Sequence, residues 1–205
     1  MDLAIVDLDG TLVRLHIDWK SVEKLIQEIS KGSTKTFLGF VARYWGSPVF
    51  WKIHSAVEEM ELRAVESMEV LDDAPTFIRI LKSMARIAIV TMQSRRACIE
   101  ALKKLGVADT VDAVITREDC STRFEQIARA LKMFSPDRAV LIADKVLDAF
   151  AAYANRVKPI IVVRETRCVE PWWGDNIFED LEVIGAEIVS SLGEAIEVIK
   201  RIWSR

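Results

Sequence analysis

Short apolar runs alternate with amphipathic stretches along most of the chain. Near-continuous apolar runs of this length are typical of parallel strands that are buried on both faces. Alternation of such strands with helices predicts a parallel sheet flanked by helices. We expect strands at residues 2–7, 86–91, 111–115, 139–143, 160–163 and 187–189.

Apolar residues recur at helical spacing between the later strands. The pattern predicts helices over residues 95–105, 123–133, 146–155 and 192–202. Strands and helices together indicate an α/β fold, a three-layer Rossmann-like domain with a mainly parallel sheet. An aromatic-rich loop at 171–175 follows the fifth strand. We expect it to pack against the domain, with a partner surface as the alternative.

Residues 15–73 interrupt this alternation of strands and helices. More than fifty residues separate the first two strands, and most of them have helical spacing. We predict a small helical cap at 15–73, inserted into a core of residues 1–14 and 74–205, with a return hinge at 72–75. Its expected helices cover 19–29, 37–44 and a stretch that begins at Pro48 and runs toward residue 71.

Composition restricts the classes of function. A chain of 205 residues with 51% hydrophobic content suits one full domain plus an insertion. Its 28 basic and 31 acidic residues are spread along the chain, so no basic field indicates nucleic acid. No apolar stretch approaches the roughly 20 residues of a membrane span, and the N-terminus lacks the pattern of an export signal. We therefore expect a cytoplasmic protein that binds a small diffusible ligand.

Two acidic residues, Asp7 and Asp9, come where the first predicted strand ends. The carboxyl edge of a parallel sheet is where open α/β folds bind ligands. Two close carboxylates repel each other unless one is protonated or a cation intervenes, and oxygen-rich sites suit Mg²⁺. Gly10 allows the chain to turn sharply after them. The sequence therefore predicts a site for Mg²⁺ and phosphate at this edge.

The segment Asp7-Leu8-Asp9-Gly10-Thr11-Leu12 resembles the first motif of phosphatases in the haloacid dehalogenase superfamily. The resemblance implies that Asp7 attacks phosphorus to form an aspartyl-phosphate. It implies that Asp9 is the general acid for the leaving group and then the base for water. Phosphoglycolate phosphatase-like members are the nearest comparison, because they combine this motif form with this cap position. The expected substrate is a small phosphorylated metabolite.

The second motif of the superfamily is a Ser or Thr at the end of the next sheet strand. Here the run 87–90 ends in Thr91, whose hydroxyl would hold the phosphate together with the backbone N–H of Met92. Thr is also common at strand ends and helix starts for reasons of backbone geometry. The resemblance also implies substrate contacts at Gly10 and Thr11.

The fourth motif is an acidic strand end followed by a helix rich in alanine. The segment Ala143-Asp144-Lys145-Val146-Leu147-Asp148 matches both acids. The resemblance implies that Asp144 binds Mg²⁺ directly, together with the Asp7 carboxylate and the Asp9 carbonyl. Asp148 would bind through water or orient those ligands.

The chain departs from the superfamily pattern near this metal site. Ala143 replaces the usual glycine, Lys145 replaces a small hydroxyl residue, and residues 117–126 lack the lysine of the third motif. Arg123 is the best local substitute, although its planar fork differs from an ammonium. Lys145 is the alternative catalytic cation. In a third interpretation both are solvated surface charges.

Mg²⁺-dependent hydrolysis of a small phosphomonoester is the favoured function. A sugar phosphomutase would use the same intermediate, and a dehalogenase is disfavoured because it does not need Asp9. The three departures favour another alternative, a weakened family member that binds a phosphorylated ligand or partner without turnover. In the cap, five residues are candidates to face the substrate, although core packing is the commoner role of such residues: Arg43, Trp45, Trp51, Lys52 and His54.

Overall fold

A six-stranded sheet forms the centre of the molecule, which the computed structural model describes over residues 1–164 and 177–204. The strands, numbered along the chain, are β1 (Leu3–Val6), β4 (Arg86–Val90), β5 (Ala113–Ile115), β6 (Ala139–Ala143), β7 (Lys158–Val162) and β8 (Glu187–Val189), and a separate pair is β2 (Val13–Arg14) and β3 (Glu69–Val70). The order β5-β4-β1-β6-β7-β8 is parallel throughout. The predicted α/β class and all six expected strands are confirmed, with ends shifted by at most two residues.

Strand β1 explains why the central strands are apolar runs. Leu3 and Ile5 pack on one face of the sheet, the two even-numbered residues pack on the other, and all four are fully buried. In register, Ile5 lies between Ala88 of β4 and Leu141 of β6. With both faces covered, no position in this strand favours a polar side chain.

Helices cover both faces of the sheet and complete three layers. One face carries α4 (Ala74–Lys82), α5 (Arg95–Lys104) and α9 (Leu192–Trp203), and the other carries α6 (Arg123–Phe134), α7 (Val146–Ala154) and α8 (Ile177–Val183). Four of these helices match the sequence prediction, whereas α4 and α8 were not predicted. Ala74 and Pro75, which were expected in a return hinge, form the first turn of α4 instead, because Asp73 caps that helix by accepting from the Thr76 N–H.

Residues 15–73 contribute three further helices beside the sheet. They are α1 (Trp19–Ile29), α2 (Phe37–Tyr44) and α3 (Pro48–Glu66). Helices α1 and α2 and the first half of α3 share an apolar cluster of their own. The expectation that α3 continues toward residue 71 is wrong, because the chain turns after Glu66 and forms β3, where Val70 pairs with Val13 of β2.

One sequence prediction, the aromatic loop at 171–175, lies outside the described residues. Cys98 and Cys120 are free and buried. Across residues 1–164 and 177–204, every helix is too short or too polar to cross a bilayer.

Candidate active site

The two aspartates of the first motif lie directly after β1. The Asp7 N–H donates to the Ile142 carbonyl of β6 at 3.0 Å, and the Asp7 side chain is buried. The Asp9 carboxylate accepts a hydrogen bond from the Leu15 N–H at 2.7 Å. Gly10 turns the chain with φ +86°, and any side chain at this position would collide with the Asp144 carboxylate. The turn therefore packs closely against the residue that follows β6.

Three carboxylates converge at these strand ends. Asp7, Asp144 and Asp148 each offer an oxygen, and the three oxygens lie within 4.8 Å of one another. Oδ1 of Asp144 and Oδ2 of Asp148 are buried and accept no hydrogen bond from the described residues. Buried oxygens without a donor are unfavourable, and a hard cation such as Mg²⁺ binds such oxygens well. The donor set therefore fits a divalent metal ion.

Burial shifts the acidity of these groups. Burial raises the pKa of Asp7, the Arg123 guanidinium works against this shift, and the carboxylates of Asp148 and Asp144 add to it. Burial also raises the pKa of Asp9 to about 6, against the hydrogen bond from Leu15. An acid with a pKa near neutrality suits proton transfer in both directions. The pKa of Asp144 is raised by burial too, with Lys145 opposing the rise.

Arg123 is the cation that contacts Asp7. Its Nη2 lies 2.6 Å from Asp7 Oδ1, and its Nε lies 2.8 Å from Asp148 Oδ1. Arg123 is the first residue of α6, which starts there because Thr122 caps the helix by accepting from the Glu125 N–H. Only 14% of its side chain is exposed. The planar fork thus bridges two of the three clustered carboxylates.

Lys145 occupies a different position in the site. Its Nζ lies 2.7 Å from Asp144 Oδ2, and 53% of its side chain is exposed. It stands at the N-cap of α7 without making a side-chain capping bond. The two candidate cations therefore contact different carboxylates, Arg123 those of Asp7 and Asp148 and Lys145 that of Asp144.

Thr91 lies at the end of β4, beside the end of β1. It is fully buried, and its N–H donates to the Ile115 carbonyl of β5. Its hydroxyl donates to the side-chain oxygen of Gln93 and accepts from the Gln93 N–H at 3.2 Å. The side-chain amide of Gln93 reaches toward Asp9 Oδ2 at 3.5 Å. Met92 packs against the apolar cluster of α1, α2 and α3.

Sequence reasoning missed Gln126, which connects two parts of this site. The residue is fully buried on α6, and its amide donates to the Thr91 carbonyl at 2.7 Å. Its side-chain oxygen accepts from Nη1 of Arg123 at 3.1 Å. The available signal was the position of this glutamine, which lies one helical turn after Arg123 on the buried face of α6.

A second group, His54 with Glu58 and Glu118, also has its ligand atoms within 4.8 Å of one another. Arg117 Nε donates to His54 Nδ1 at 3.0 Å, so this ring nitrogen carries no proton and the proton of a neutral imidazole is on Nε2. Burial and the Arg117 charge lower the pKa of His54, which favours the neutral ring. A protonated Nε2 cannot bind a metal ion, and it lies 3.6 Å from a carboxylate oxygen of Glu118 and 3.8 Å from one of Glu58. His54 thus contacts Arg117.

The other four cap candidates, Arg43, Trp45, Trp51 and Lys52, are all exposed. The Trp45 indole donates to the Arg117 carbonyl at 2.7 Å, and the Trp51 ring lies edge-on to His54. These two aromatic residues therefore lie near the loop that follows β5.

Comparison with known proteins gives a family and a fold. The chain matches the family model of a haloacid dehalogenase-like hydrolase over residues 1–154. Similar solved structures include a predicted phosphatase from Clostridium acetobutylicum, with 18% identity, 98% of each chain covered and a TM-score of 0.67. A family hydrolase from Deinococcus radiodurans R1 with bound phosphate and sodium has 17% identity, with 98% of this chain and 96% of that chain covered, and a TM-score of 0.62.

A 2-haloacid dehalogenase from Pseudomonas syringae pv. Tomato DC3000 is also similar, with 15% identity, 98% of this chain and 99% of that chain covered, and a TM-score of 0.62. No curated protein matches the chain significantly. At these identities the structural likeness establishes the fold alone, whereas the family model covers most of the sequence. The chain therefore belongs to the haloacid dehalogenase-like hydrolase family.

Proposed function

We propose that this hydrolase removes phosphate from a small phosphomonoester in a Mg²⁺-dependent reaction. One observation carries the proposal: Asp7, Asp144 and Asp148 converge at the carboxyl edge of the sheet with two buried, unpaired oxygens and Arg123 beside them. An anion can bind here only where cations balance the carboxylates. Arg123 and a metal ion would supply that balance.

The chemistry follows from the positions of the two first-motif carboxylates. Asp7 attacks phosphorus in line, a new O–P bond forms, and the bond to the leaving oxygen breaks while Asp9 gives that oxygen its proton. Asp9 then takes a proton from water, whose oxygen attacks phosphorus and releases phosphate from Asp7. The pKa of Asp9 near 6 is compatible with both proton transfers.

Other residues of the chain hold the phosphoryl group. Arg123 is placed to donate to a phosphoryl oxygen from its position beside Asp7. Thr91 would turn its hydroxyl from Gln93 to the phosphate, with the N–H of Met92 next to it, and Gly10 and Thr11 would border the leaving group. Asp7, Asp144 and Asp148, with the Asp9 carbonyl, would hold Mg²⁺. When bound, the metal ion offsets the charge of the carboxylates and the phosphate.

We propose that residues 15–73 act as a cap over this site and exclude water during the reaction. The separate apolar cluster of α1, α2 and α3 supports this proposal, because these helices can keep their packing as one unit. Met92 joins that cluster next to Thr91, so the cap lies close to the expected phosphate position.

A weakened, ligand-binding family member is the second candidate. The contact between Lys145 and Asp144 favours it, because an ammonium at 2.7 Å competes with a metal ion for the same carboxylate. In that case the protein would bind a phosphorylated ligand with little turnover.

Phosphate release separates the two candidates. With Mg²⁺, we expect the wild type to release phosphate from 4-nitrophenyl phosphate and from part of a metabolite panel. In EDTA, the release of phosphate should cease. Asp7→Asn should lose this activity while keeping its fold. Absence of release from folded wild type across the panel, or unchanged release by Asp7→Asn, would reject the hydrolase proposal.

A further inference from the structure

Arg164 contacts the turn that carries Asp9. It follows β7 at the carboxyl edge of the sheet, and 14% of its side chain is exposed. Nη1 donates to the Gly10 carbonyl at 2.9 Å and Nη2 donates to the Thr11 carbonyl at 3.0 Å.

The backbone hydrogen bonds that close this turn use a different carbonyl, that of Leu8. The Leu8 carbonyl accepts from the N–H groups of Leu12 and Val13 at 2.9 and 3.1 Å, and this closes the turn. Within the described residues, the carbonyls of Gly10 and Thr11 accept from Arg164 instead. One guanidinium satisfies both through two of its nitrogens, and its Nε is left for a further acceptor.

The same guanidinium binds Asp72, where the inserted segment returns to the core. Nε and Nη2 of Arg164 lie 3.2 and 2.9 Å from Asp72 Oδ2, which also accepts from the Leu192 N–H at 2.7 Å. Asp72 has φ +46°, a conformation uncommon for a residue with a side chain. The adjacent Leu71 N–H donates to the Leu12 carbonyl at 3.0 Å. The turn and the return segment are thus held together by several bonds at one point.

We propose that Arg164 is a positioning residue that fixes the turn carrying Asp9 and couples it to the return of the inserted helices at Asp72. The proposal rests on the proposed phosphatase function. Asp9 and Leu15 are joined by a hydrogen bond across this turn, so the conformation of residues 10–14 sets where the Asp9 carboxyl stands relative to Asp7. A displacement of about 1 Å at a reacting group lowers a rate by up to roughly 100-fold.

Two properties of the intact 205-residue chain test the proposal. Amide hydrogen exchange over residues 8–15 and 70–73 measures how well the backbone amides of the turn and the return segment are protected. This measurement needs no known substrate. Turnover of a series of substituted aryl phosphates measures proton donation, because poor leaving groups depend on the general acid more than good ones do.

The variants are Arg164→Ala, Arg164→Lys and the matched control Arg138→Ala. Arg138 also forms a two-bond pair with an aspartate, Asp2, and donates to a backbone carbonyl, that of Trp203, but it lies at the opposite end of β1. We expect Arg164→Ala to speed exchange in the two segments by about tenfold or more, with the sheet still protected. Arg164→Lys should lie between Arg164→Ala and wild type, and Arg138→Ala should leave these segments unchanged.

In the kinetic arm, kcat of Arg164→Ala should fall roughly 10- to 100-fold with KM little changed, and more steeply for poor leaving groups. Unchanged exchange at 8–15 in folded Arg164→Ala overturns the proposal. Faster exchange with an equal fall in kcat for good and poor leaving groups overturns the link to Asp9. If Arg164→Ala shows the faster exchange but wild type never releases phosphate, the positioning contact stands and the proposed function fails.

Discussion

Arg123 is the more buried of the two candidate cations that contact the acidic site. It bridges Asp7 and Asp148 from a mostly buried position, whereas Lys145 pairs with Asp144 from an exposed one. Interactions in a desolvated site are stronger than those at the surface. We therefore assign the role of the third-motif lysine to Arg123 as a proposal.

Substitution of the two cations tests this assignment. Arg123→Ala should lower kcat/KM about 100- to 1,000-fold, because a donor to the phosphoryl oxygens is lost. Lys145→Ala should change it by less than about tenfold, or raise Mg²⁺ affinity by freeing Asp144. Steady-state kinetics at several Mg²⁺ concentrations measures both effects. A larger loss for Lys145→Ala would show that the assignment is reversed.

The raised pKa of Asp9 predicts a pH-dependent stability for the metal-free protein. Burial raises this pKa from its ordinary value of 3.8 to about 6, so the folded state retains a proton that the unfolded state has already lost in this range. Ionisation of Asp9 therefore destabilises the fold increasingly from about pH 4 to about pH 6, and the penalty stays constant above that.

Asp9→Asn removes this penalty and keeps the oxygen that accepts from Leu15. In EDTA, the free energies of unfolding of the variant and the wild type should coincide below about pH 4. The variant should be more stable by about 1–3 kcal/mol above pH 6. Urea denaturation across pH measures the difference. A difference that does not depend on pH, or a variant that loses relative stability as pH rises, would contradict the burial argument.

Local sequence predicts some residues of the site better than others. Asp7, Asp9, Asp144 and Asp148 belong to short motifs at strand ends, and the structure brings their side chains to one edge. Contacts such as those of Arg117 join residues far apart in the chain, and no spacing rule identifies them. An arginine is normally exposed, so the complete burial of Arg117 had no signal in the sequence.

At the scale of elements, helix α3 belongs to two packing units. Its first half packs with α1 and α2, whereas Ala64 and Val65 near its end pack in the core of the sheet domain. Between them, Glu61 pairs with Arg117 at 2.5 Å, and both side chains are fully buried. Glu61 also accepts from the Ser94 N–H at the start of α5. The ion pair therefore fixes α3 to the loops after β4 and β5.

The energetics of this pair can be measured with a double-mutant cycle. Arg117→Met alone should cost about 3–5 kcal/mol, because it leaves a buried carboxylate without its partner. The double variant Glu61→Leu with Arg117→Met should cost clearly less than the sum of the single variants. Arg201→Gln, in an exposed pair with Glu187, is the control and should cost less than about 1 kcal/mol. If the losses in free energy of unfolding, measured by urea denaturation, are additive, the buried pair contributes no coupling.

The sequence predicted some elements and not others for physical reasons. Strands β4, β6 and β7 are apolar on both faces, and α5 and α6 have clear caps, so local pattern was sufficient. Strands β2 and β3 have two residues each and exist because they pair with each other, which no local pattern encodes. The same pairing ends α3 early.

At the scale of the molecule, a parallel sheet brings four strand ends and one inserted helical segment to a single edge. The α/β class followed from the alternation of strands and helices, because parallel strands need crossover connections. The position of the inserted helices relative to the site did not follow, because it depends on contacts such as Glu61 with Arg117 and Arg164 with Asp72. We propose that the chemistry takes place at the sheet edge and that the inserted segment controls substrate access.

We propose that Asp7 forms a covalent bond to phosphorus during turnover. Acid quenching of a single turnover of 4-nitrophenyl phosphate with Mg²⁺, followed by peptide mass spectrometry, measures this directly. We predict a peptide that contains Asp7 with the added mass of one phosphoryl group, present early in the turnover and absent in Asp7→Asn. Early quenches of a turning-over enzyme that contain no phosphorylated Asp7, or that contain the phosphoryl group on another residue, would contradict the account.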